Sequence, residues 1–250
     1  MMSVSRLAEL IRERQACVVL TGAGVSTGSG IPDFRSPTGL WAQFDPHEYG
    51  SIEAFRSDPH KVWTFYKPRV AMLMEAEPNP AHEALAELEW RGFVEAVVTQ
   101  NIDLLHERAG SRDVVEVHGS IRTSSCPGCG ERYELGRVLE LLAEVDAPAC
   151  PSCGEILKPD VVFFGELLSP EAIDRAYELA RGARLLVVVG SALEVYPVAG
   201  LPLETIGTGG ELAIVNRGPT AFDAQAALKI DASAGDVLPQ VAEMLRPPRA

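Results

Sequence analysis

Seven short runs in this chain are apolar at nearly every position: Cys17–Thr21, Val94–Thr99, Val114–Val117, Val161–Phe164, Leu185–Gly190, Leu212–Val215 and Leu228–Ile230. Successive side chains of a strand point to opposite faces, so runs without polar alternation need cover on both sides, as in a parallel sheet sandwiched by crossover helices. The intervening segments Pro80–Arg91, Leu104–Ala109, Pro170–Arg181 and Asp236–Leu245 repeat apolar residues every three or four positions, and several begin after Pro, Ser or Asp, which start helices. The expectation is an α/β fold, a Rossmann-like doubly wound parallel sheet. At 250 residues and 46% hydrophobic content the chain has the makings of one large or two small globular domains, which excludes disordered and fibrous classes. Its formal charge, 22 − 35 = −13, disfavours general binding to nucleic acid or acidic membranes. The longest apolar stretch is far short of the ~18 residues of a membrane span, and Met1–Gln15 carries five charged residues where a signal peptide has an apolar core. A soluble, cytoplasmic protein is expected.

Two segments interrupt the alternation. Residues 32–79 hold no strand pattern but a Pro- and Gly-punctuated stretch followed by the helical-looking Asp58–Glu75, an excursion longer than an ordinary βα connection. Residues 124–154 form a cysteine-rich insertion around one helical pattern, Leu135–Val145. That divides the chain into a sheet domain (1–31, 80–123 and 155–250), a cofactor-loop and helical segment (32–79) and an inserted module (124–154). In the insertion, Cys126-Pro-Gly-Cys129 and Cys150-Pro-Ser-Cys153 lie 20 residues apart, each followed by a glycine, Gly130 and Gly154. Two such knuckles match a four-thiolate zinc site; four protein ligands fill the tetrahedron, so the ion is expected to be structural. Redox dithiols or two disulfides are the alternative. The insert's excess of acidic residues argues against use as a nucleic-acid ribbon, and Cys17, in a core strand, reads as a small buried hydrophobe.

Directly after the first strand comes Thr21-Gly22-Ala23-Gly24-Val25-Ser26-Thr27-Gly28-Ser29-Gly30. Glycines there let the backbone approach a phosphate whose charge is met by amides and a helix N-terminus, which suits a dinucleotide. The dehydrogenase fingerprint is incomplete, since Thr27 stands at its third glycine and no acidic strand end follows about 20 residues later; the P-loop GK[ST] is also missing. Arg35 is the local counter-charge for a diphosphate.

The ordered set Gly22-Ala23-Gly24-Val25-Ser26, Ser29-Gly30-Ile31-Pro32-Asp33-Phe34-Arg35, Thr99-Gln100-Asn101-Ile102-Asp103, His118-Gly119, the four cysteines, Lys158-Pro159-Asp160-Val161-Val162-Phe163-Phe164-Gly165-Glu166 and Gly190-Ser191-Ala192-Leu193-Glu194-Val195 resembles the sirtuins, NAD-dependent protein lysine deacylases. Val25 and Ala192 depart slightly, replacing common Ile and Ser. The resemblance implies NAD as co-substrate, structural zinc, acylated lysine on proteins as partner, and products nicotinamide and O-acyl-ADP-ribose. By the same resemblance His118 is the catalytic base, whose ordinary pKa of ~6.5 suits proton transfer near neutrality. Gly22, Ala23, Gly24, Ser26, Asp33, Phe34, Arg35, Trp41, Gln100, Asn101, Ile102 and Asp103 would line the diphosphate, ribose and nicotinamide sites. Gly190, Ser191, Ala192, Asn216, Arg217, Gly218 and Ala234 would meet the adenosine half, and Val162 and Phe164 would wall the acyl-lysine tunnel beside a substrate strand.

Tyr66 and Arg69 stand three apart in a helical pattern and so share a face. Their Tyr-x-x-Arg placement is similar to the sirtuins that remove succinyl and malonyl groups, where a guanidinium fork meets the acyl carboxylate. Pro68 between them would kink the helix. Mono-ADP-ribosyl transfer from the same NAD site is the alternative function.

Overall fold

The computed structural model describes residues 2–247. The first half runs through α1 (Met2–Glu13), β1 (Cys17–Thr21), the short helices α2 (Pro46–Tyr49) and α3 (Ile52–Ser57), α4 (Pro59–Glu75), α5 (Pro80–Trp90), β2 (Val94–Thr99), α6 (Leu105–Arg108) and β3 (Val114–Glu116). It continues with β4 (Gly119–Ser125), β5 (Arg132–Glu134), α7 (Leu135–Glu144), β6 (Lys158–Val161), α8 (Pro170–Gly182), β7 (Leu185–Val189), α9 (Leu201–Gly207), β8 (Glu211–Val215), β9 (Leu228–Ile230) and α10 (Ala234–Met244).

Six strands form one parallel sheet in the order β3-β2-β1-β7-β8-β9. The chain builds outward from β1 to β3, then returns to start the other half beside β1. The β1/β7 seam is therefore a topological switch point, where the loops at the strand C-termini part and leave a crevice. Alternate residues of each strand enter different cores, which is why the runs read as continuously apolar. Val19, Val97, Val187 and Ala213 pack with α1, α5 and α10, whereas Leu20, Val98, Leu186 and Ile214 pack with α8 and α9. Helix α1 was not signalled by the charged N-terminal stretch, yet its Val4, Leu7, Ala8, Leu10 and Ile11 line one stripe and are all buried. Among the described residues no helix is long and apolar enough to cross a membrane.

The apolar run Val161–Phe164 is not a strand of the parallel sheet. The ladder there is β6, which pairs antiparallel with β4 in a second, three-stranded sheet of order β5-β4-β6. Beyond Val161 the chain leaves that ladder: Val162 donates its N–H to the His118 carbonyl at 2.8 Å and Phe164 donates to Gly50 at 2.8 Å. Only Val161 and Phe163 of this run are buried, in the core beneath the three-stranded sheet, while Val162 is half-buried and Phe164 exposed. Because β4 and β6 belong to that sheet, the cysteine-bearing unit takes in residues on both sides of 124–154. It shares one core with the helical excursion: Ile52, Phe55, Val62 and Trp63 pack with Val138, Leu142, Leu157 and Phe163. Trp63, 1% exposed, donates its indole N–H to the Leu157 carbonyl at 2.7 Å, joining the two segments. Pro68 lies inside α4, which nevertheless runs as one helix from Pro59 to Glu75.

Candidate active site

The crevice at the switch point is made possible by missing side chains. A Cβ on Gly22 would lie 2.8 Å from the Gly190 carbonyl oxygen, one on Gly24 2.8 Å from the Gly190 Cα, and one on Gly190 itself 2.3 Å from the Val25 nitrogen. Gly190 also has φ +63°, a conformation in which side chains are disfavoured. The turn after β1 and the turn after β7 thus meet backbone to backbone, tied by a bond from the Gly24 N–H to the Gly190 carbonyl at 2.9 Å. The glycine-rich segment does not open an α-helix as the sequence suggested. It forms two 3₁₀ turns, Ala23–Val25 and Thr27–Ser29, and ends on Gly30 in the left-handed region, just before Ile31-Pro32.

Under this turn lies a buried polar network. Ser26 donates to the Asp103 carboxylate at 2.7 Å and accepts from the Asn101 side-chain amide at 3.0 Å. Asn101 also donates to the Gly22 carbonyl at 3.3 Å, and Asp103 caps the Leu105 N–H at 3.0 Å. All three side chains are 8% exposed or less. Leu104, beside Asp103, sits at φ +63°, which bends the chain so that Asp103 faces back to the turn. The helix-capping role of Asp103 and its place at the crevice coexist.

Three members of this site, Asn79, His82 and His106, lie outside the motifs read from the sequence. Asn79 caps α5 and donates its side-chain amide to the Val25 carbonyl at 2.8 Å and to Ser29 at 3.0 Å. His82 approaches Ser26 at 3.4 Å, and His106 bonds Thr21 at 2.9 Å. Thr21 in turn donates to Thr99 at 2.8 Å, whose hydroxyl receives the Asn101 backbone N–H at 3.1 Å. Burial pushes His82 down to about 4 against the opposing pull of Asp103; burial, then His82, pushes His106 down to about 3. Both are neutral at pH 7. The Asn-Pro-x-His spacing of a capped helix start was the available signal for Asn79 and His82.

His118 follows β3. Its Nδ1 lies 3.0 Å from the Gln100 carbonyl, which can only accept, so Nδ1 carries the proton and Nε2 keeps the lone pair. Burial lowers its pKa below the ordinary value, the Gln100 bond opposes that, and the Arg35 charge adds to the lowering. Gln100 also donates its side-chain amide to Ser191 at 2.9 Å, so one residue joins the histidine to the crevice floor. Asp33 accepts from the backbone of Arg35 and Ser36, which folds the loop that carries Arg35. Arg35 pairs with Glu194 at 3.1 Å.

Phe34, Trp41, Phe44, Tyr49, Phe65 and Phe164 form a continuous aromatic wall, with neighbouring ring centroids 5.2–6.1 Å apart. Trp41 belongs to this wall and stacks on Phe65 with the rings 10° from parallel. Phe164 is partly exposed, Val162 and Ile102 are half-buried, and Ile102 packs on the small-domain core. The Arg69 guanidinium lies over the Phe65 ring at 3.4 Å and the Phe44 ring at 4.6 Å and donates to the Phe65 carbonyl, while its buried Nε has no partner. Burial raises the Tyr66 pKa and Arg69 opposes the rise, so the two groups sense each other on α4. At the far end, Asn216 folds back on the Arg217 carbonyl, Gly218 bonds Asp231, half-buried Ala192 accepts at its carbonyl from Ala221, and Ala234 is core at the start of α10.

The four cysteine sulfurs lie within 4.8 Å of one another, with Cys126–Cys153 at 3.3 Å and Cys129–Cys150 at 3.6 Å. A zinc ion with bonds of about 2.3 Å needs sulfur–sulfur edges of about 3.8 Å, so the set fits it. The two knuckles are built alike: Gly130 and Gly154, at φ +77° and +82°, return their N–H to the Cys126 and Cys150 carbonyls. Tyr133, unforeseen from sequence, places its hydroxyl 3.2 Å from the Cys150 sulfur, and this contact is the largest cause of that thiol's lowered pKa, about 6.

A glycine crevice at a switch point, an amide–carboxylate–hydroxyl floor and a histidine with a free lone pair define an enzyme that works on a dinucleotide. Comparison with known proteins agrees: the Sir2 family model matches residues 22–197. The NAD-dependent protein deacetylase of Thermotoga maritima is 42% identical over 228 residues, 91% of this chain and 92% of that one. The NAD-dependent protein deacylase of Thermococcus kodakarensis is 45% identical over 237 residues, 94% and 92% of the two chains. A solved Sir2 complex with a deacetylated p53 peptide and 3′-O-acetyl ADP ribose superposes with a TM-score of 0.93 at 41% identity, covering 98% of this chain and 99% of that one. The chain belongs to the Sir2 family.

Proposed function

We propose that the chain is an NAD-dependent protein-lysine deacylase with His118 as its general base. The observation that carries this is the double role of Gln100, whose carbonyl fixes the His118 tautomer and whose side chain holds Ser191 on the crevice floor. The donor set suits the cofactor: Arg35 for the diphosphate, Asn101 and Asp103 for carboxamide and ribose, and the side-chain-free faces of Gly22, Gly24 and Gly190 for close backbone approach. Gln100, Ile102, Ser26, Ala23 and Asp33 complete that end; Ser191, Ala192, Asn216, Arg217, Gly218 and the start of α10 at Ala234 line the adenosine end. Bound NAD supplies nicotinamide as leaving group and a ribose whose carbon accepts the acyl-lysine oxygen. His118 Nε2 takes a proton from a ribose hydroxyl, and Gln100 O stabilises the imidazolium that results. Phe34 and Trp41 shut water out, which suppresses hydrolysis in favour of acyl transfer. Mono-ADP-ribosyl transfer is not favoured, because the relatives are named protein deacetylases and deacylases.

The acyl groups in this reading are succinyl and malonyl besides acetyl. Its support is the partnerless Arg69 Nε beside Tyr66 at the aromatic wall, a buried donor that an acyl carboxylate would satisfy. A lysine peptide carrying acetyl, malonyl or succinyl in turn tests it. Arg69→Met is expected to cut succinyl and malonyl turnover roughly 10- to 100-fold, as for hydrogen bonds to charged groups, and acetyl turnover far less. Equal losses on all three would count against the acidic-acyl reading while leaving deacylation in place.

A further inference from the structure

The pairing of Arg35 with Glu194 spans the crevice. Arg35 stands on the loop that follows the first βα turn, and Glu194 stands on the loop after β7, so their 3.1 Å contact bridges the two sides of the switch point. The Glu194 side is the fixed one: Leu193 is buried at φ +58° and donates its N–H to Ser191 at 3.2 Å. The Arg35 backbone is held through Asp33, while both side chains of the pair reach solvent, Arg35 41% and Glu194 58% exposed, so the contact can open without disturbing either loop. A carboxylate and a phosphate offer a guanidinium the same kind of oxygen acceptor, and a diphosphate carries the larger charge.

We propose that Glu194 is an affinity-determining residue for the dinucleotide: it occupies Arg35 as an internal substitute for the diphosphate, and the incoming cofactor must displace it. This rests on the assignment of the crevice to NAD. The pair therefore works against binding, and the free carboxylate left behind stays close to the diphosphate. Exposed ion pairs of this kind set effects of roughly 1.5- to 5-fold in an equilibrium constant. With the diphosphate seated on Arg35 the Glu194 pair is already broken, so the effect belongs to cofactor affinity and not to the turnover of saturated enzyme.

The test is calorimetric titration with ADP-ribose, which carries the diphosphate without the nicotinamide, on the full chain, Glu194→Gln, Arg35→Gln and the double variant. Glu194→Gln is expected to bind roughly 1.5- to 5-fold more tightly at about 20 mM salt, with the gain shrinking at about 500 mM as screening shortens. The gain should vanish in the Arg35→Gln background, and KM for NAD should fall by the same factor with kcat unchanged. Unchanged or weaker binding by Glu194→Gln would overturn the proposal, as would an equal gain with Arg35 already removed, which would reduce Glu194 to simple repulsion. Failure of every variant to bind ADP-ribose would instead overturn the NAD site on which the proposal stands.

Discussion

Gly190→Ala is the substitution that bears most directly on the crevice. The added methyl would lie 2.3 Å from the Val25 nitrogen and 2.5 Å from the Gly24 carbonyl carbon, and both are backbone atoms that cannot rotate away. Ordinary contact begins near 3.4 Å, so the turn after β1 must retreat by about 1.1 Å, the difference from 2.3 Å. A displacement of that order at a positioning element costs about 100-fold in rate. Alanine at φ +63° adds about 1 kcal/mol of strain and the overpacking about 1–3 kcal/mol, together roughly 2–4 kcal/mol, or about 4–15 °C in Tm for a chain of this size. Gly30→Ala is the matched control: Gly30 also has positive φ, +84°, but nothing lies within 4 Å of a Cβ there. It should lose only the strain energy, about 1 kcal/mol, at that joint. The assay is nicotinamide release from NAD and an acetyl-lysine peptide, alongside thermal unfolding. If Gly190→Ala matches Gly30→Ala in both Tm and kcat/KM, close backbone approach is not what builds the crevice.

Three further outcomes follow from the geometry. His118→Ala should reduce kcat by roughly 10²- to 10⁴-fold, and because burial lowers the His118 pKa, wild-type activity should fall on acidification only below the ordinary value of about 6.5; a limb above that value contradicts the assignment. His82 is neutral when folded down to about 4 but protonates at ~6.5 when unfolded, so unfolding takes up a proton and stability should fall as pH drops from about 6.5 to 4, by an order of a few kcal/mol. Because His106 adds a slope of the same sign, His82→Gln should lessen but not abolish it in urea titrations, and an unchanged slope would show that His82 contributes nothing to it. Removal of zinc by a chelator should unfold the β4–β5–α7 unit, exposing Trp63, whose core the cysteines share; unchanged tryptophan fluorescence with complete metal loss would refute a structural ion.

Strands β1, β2, β7 and β8 were legible because burial on both faces leaves an uninterrupted apolar signature. The polar β4, Gly-Ser-Ile-Arg-Thr-Ser-Ser, was not: Thr123 and Ser125 spend their hydroxyls on Asp160 across the small sheet, and no local pattern announces a partner 35 residues away. The run Val161–Phe164 misled for the opposite reason, since its apolar residues alternate between the small-sheet core, at Val161 and Phe163, and a half-buried or exposed face, at Val162 and Phe164, without saying which sheet they join. In the site, Gln100, Asn101, Asp103 and His118 stand in contiguous motifs at strand ends, and it is the family resemblance of those motifs that marks them as site candidates. His82 shows in the sequence only as part of a capped helix start, and His106 not at all, because neither reaches the glycine turn until α5 and α6 are packed under it. Tyr133 becomes visible only when the two knuckles close around one point.

In the proposed reaction one crevice at the β1/β7 seam takes NAD while an acylated lysine reaches it along the aromatic wall. Chromatography of zinc-loaded protein incubated with NAD and an acetyl-lysine peptide measures this directly. Nicotinamide, O-acetyl-ADP-ribose and free lysine peptide in equal amounts are predicted, each absent when NAD is omitted. Peptide deacetylation that proceeds without NAD, or NAD cleavage that leaves the acetyl group on lysine, would contradict it.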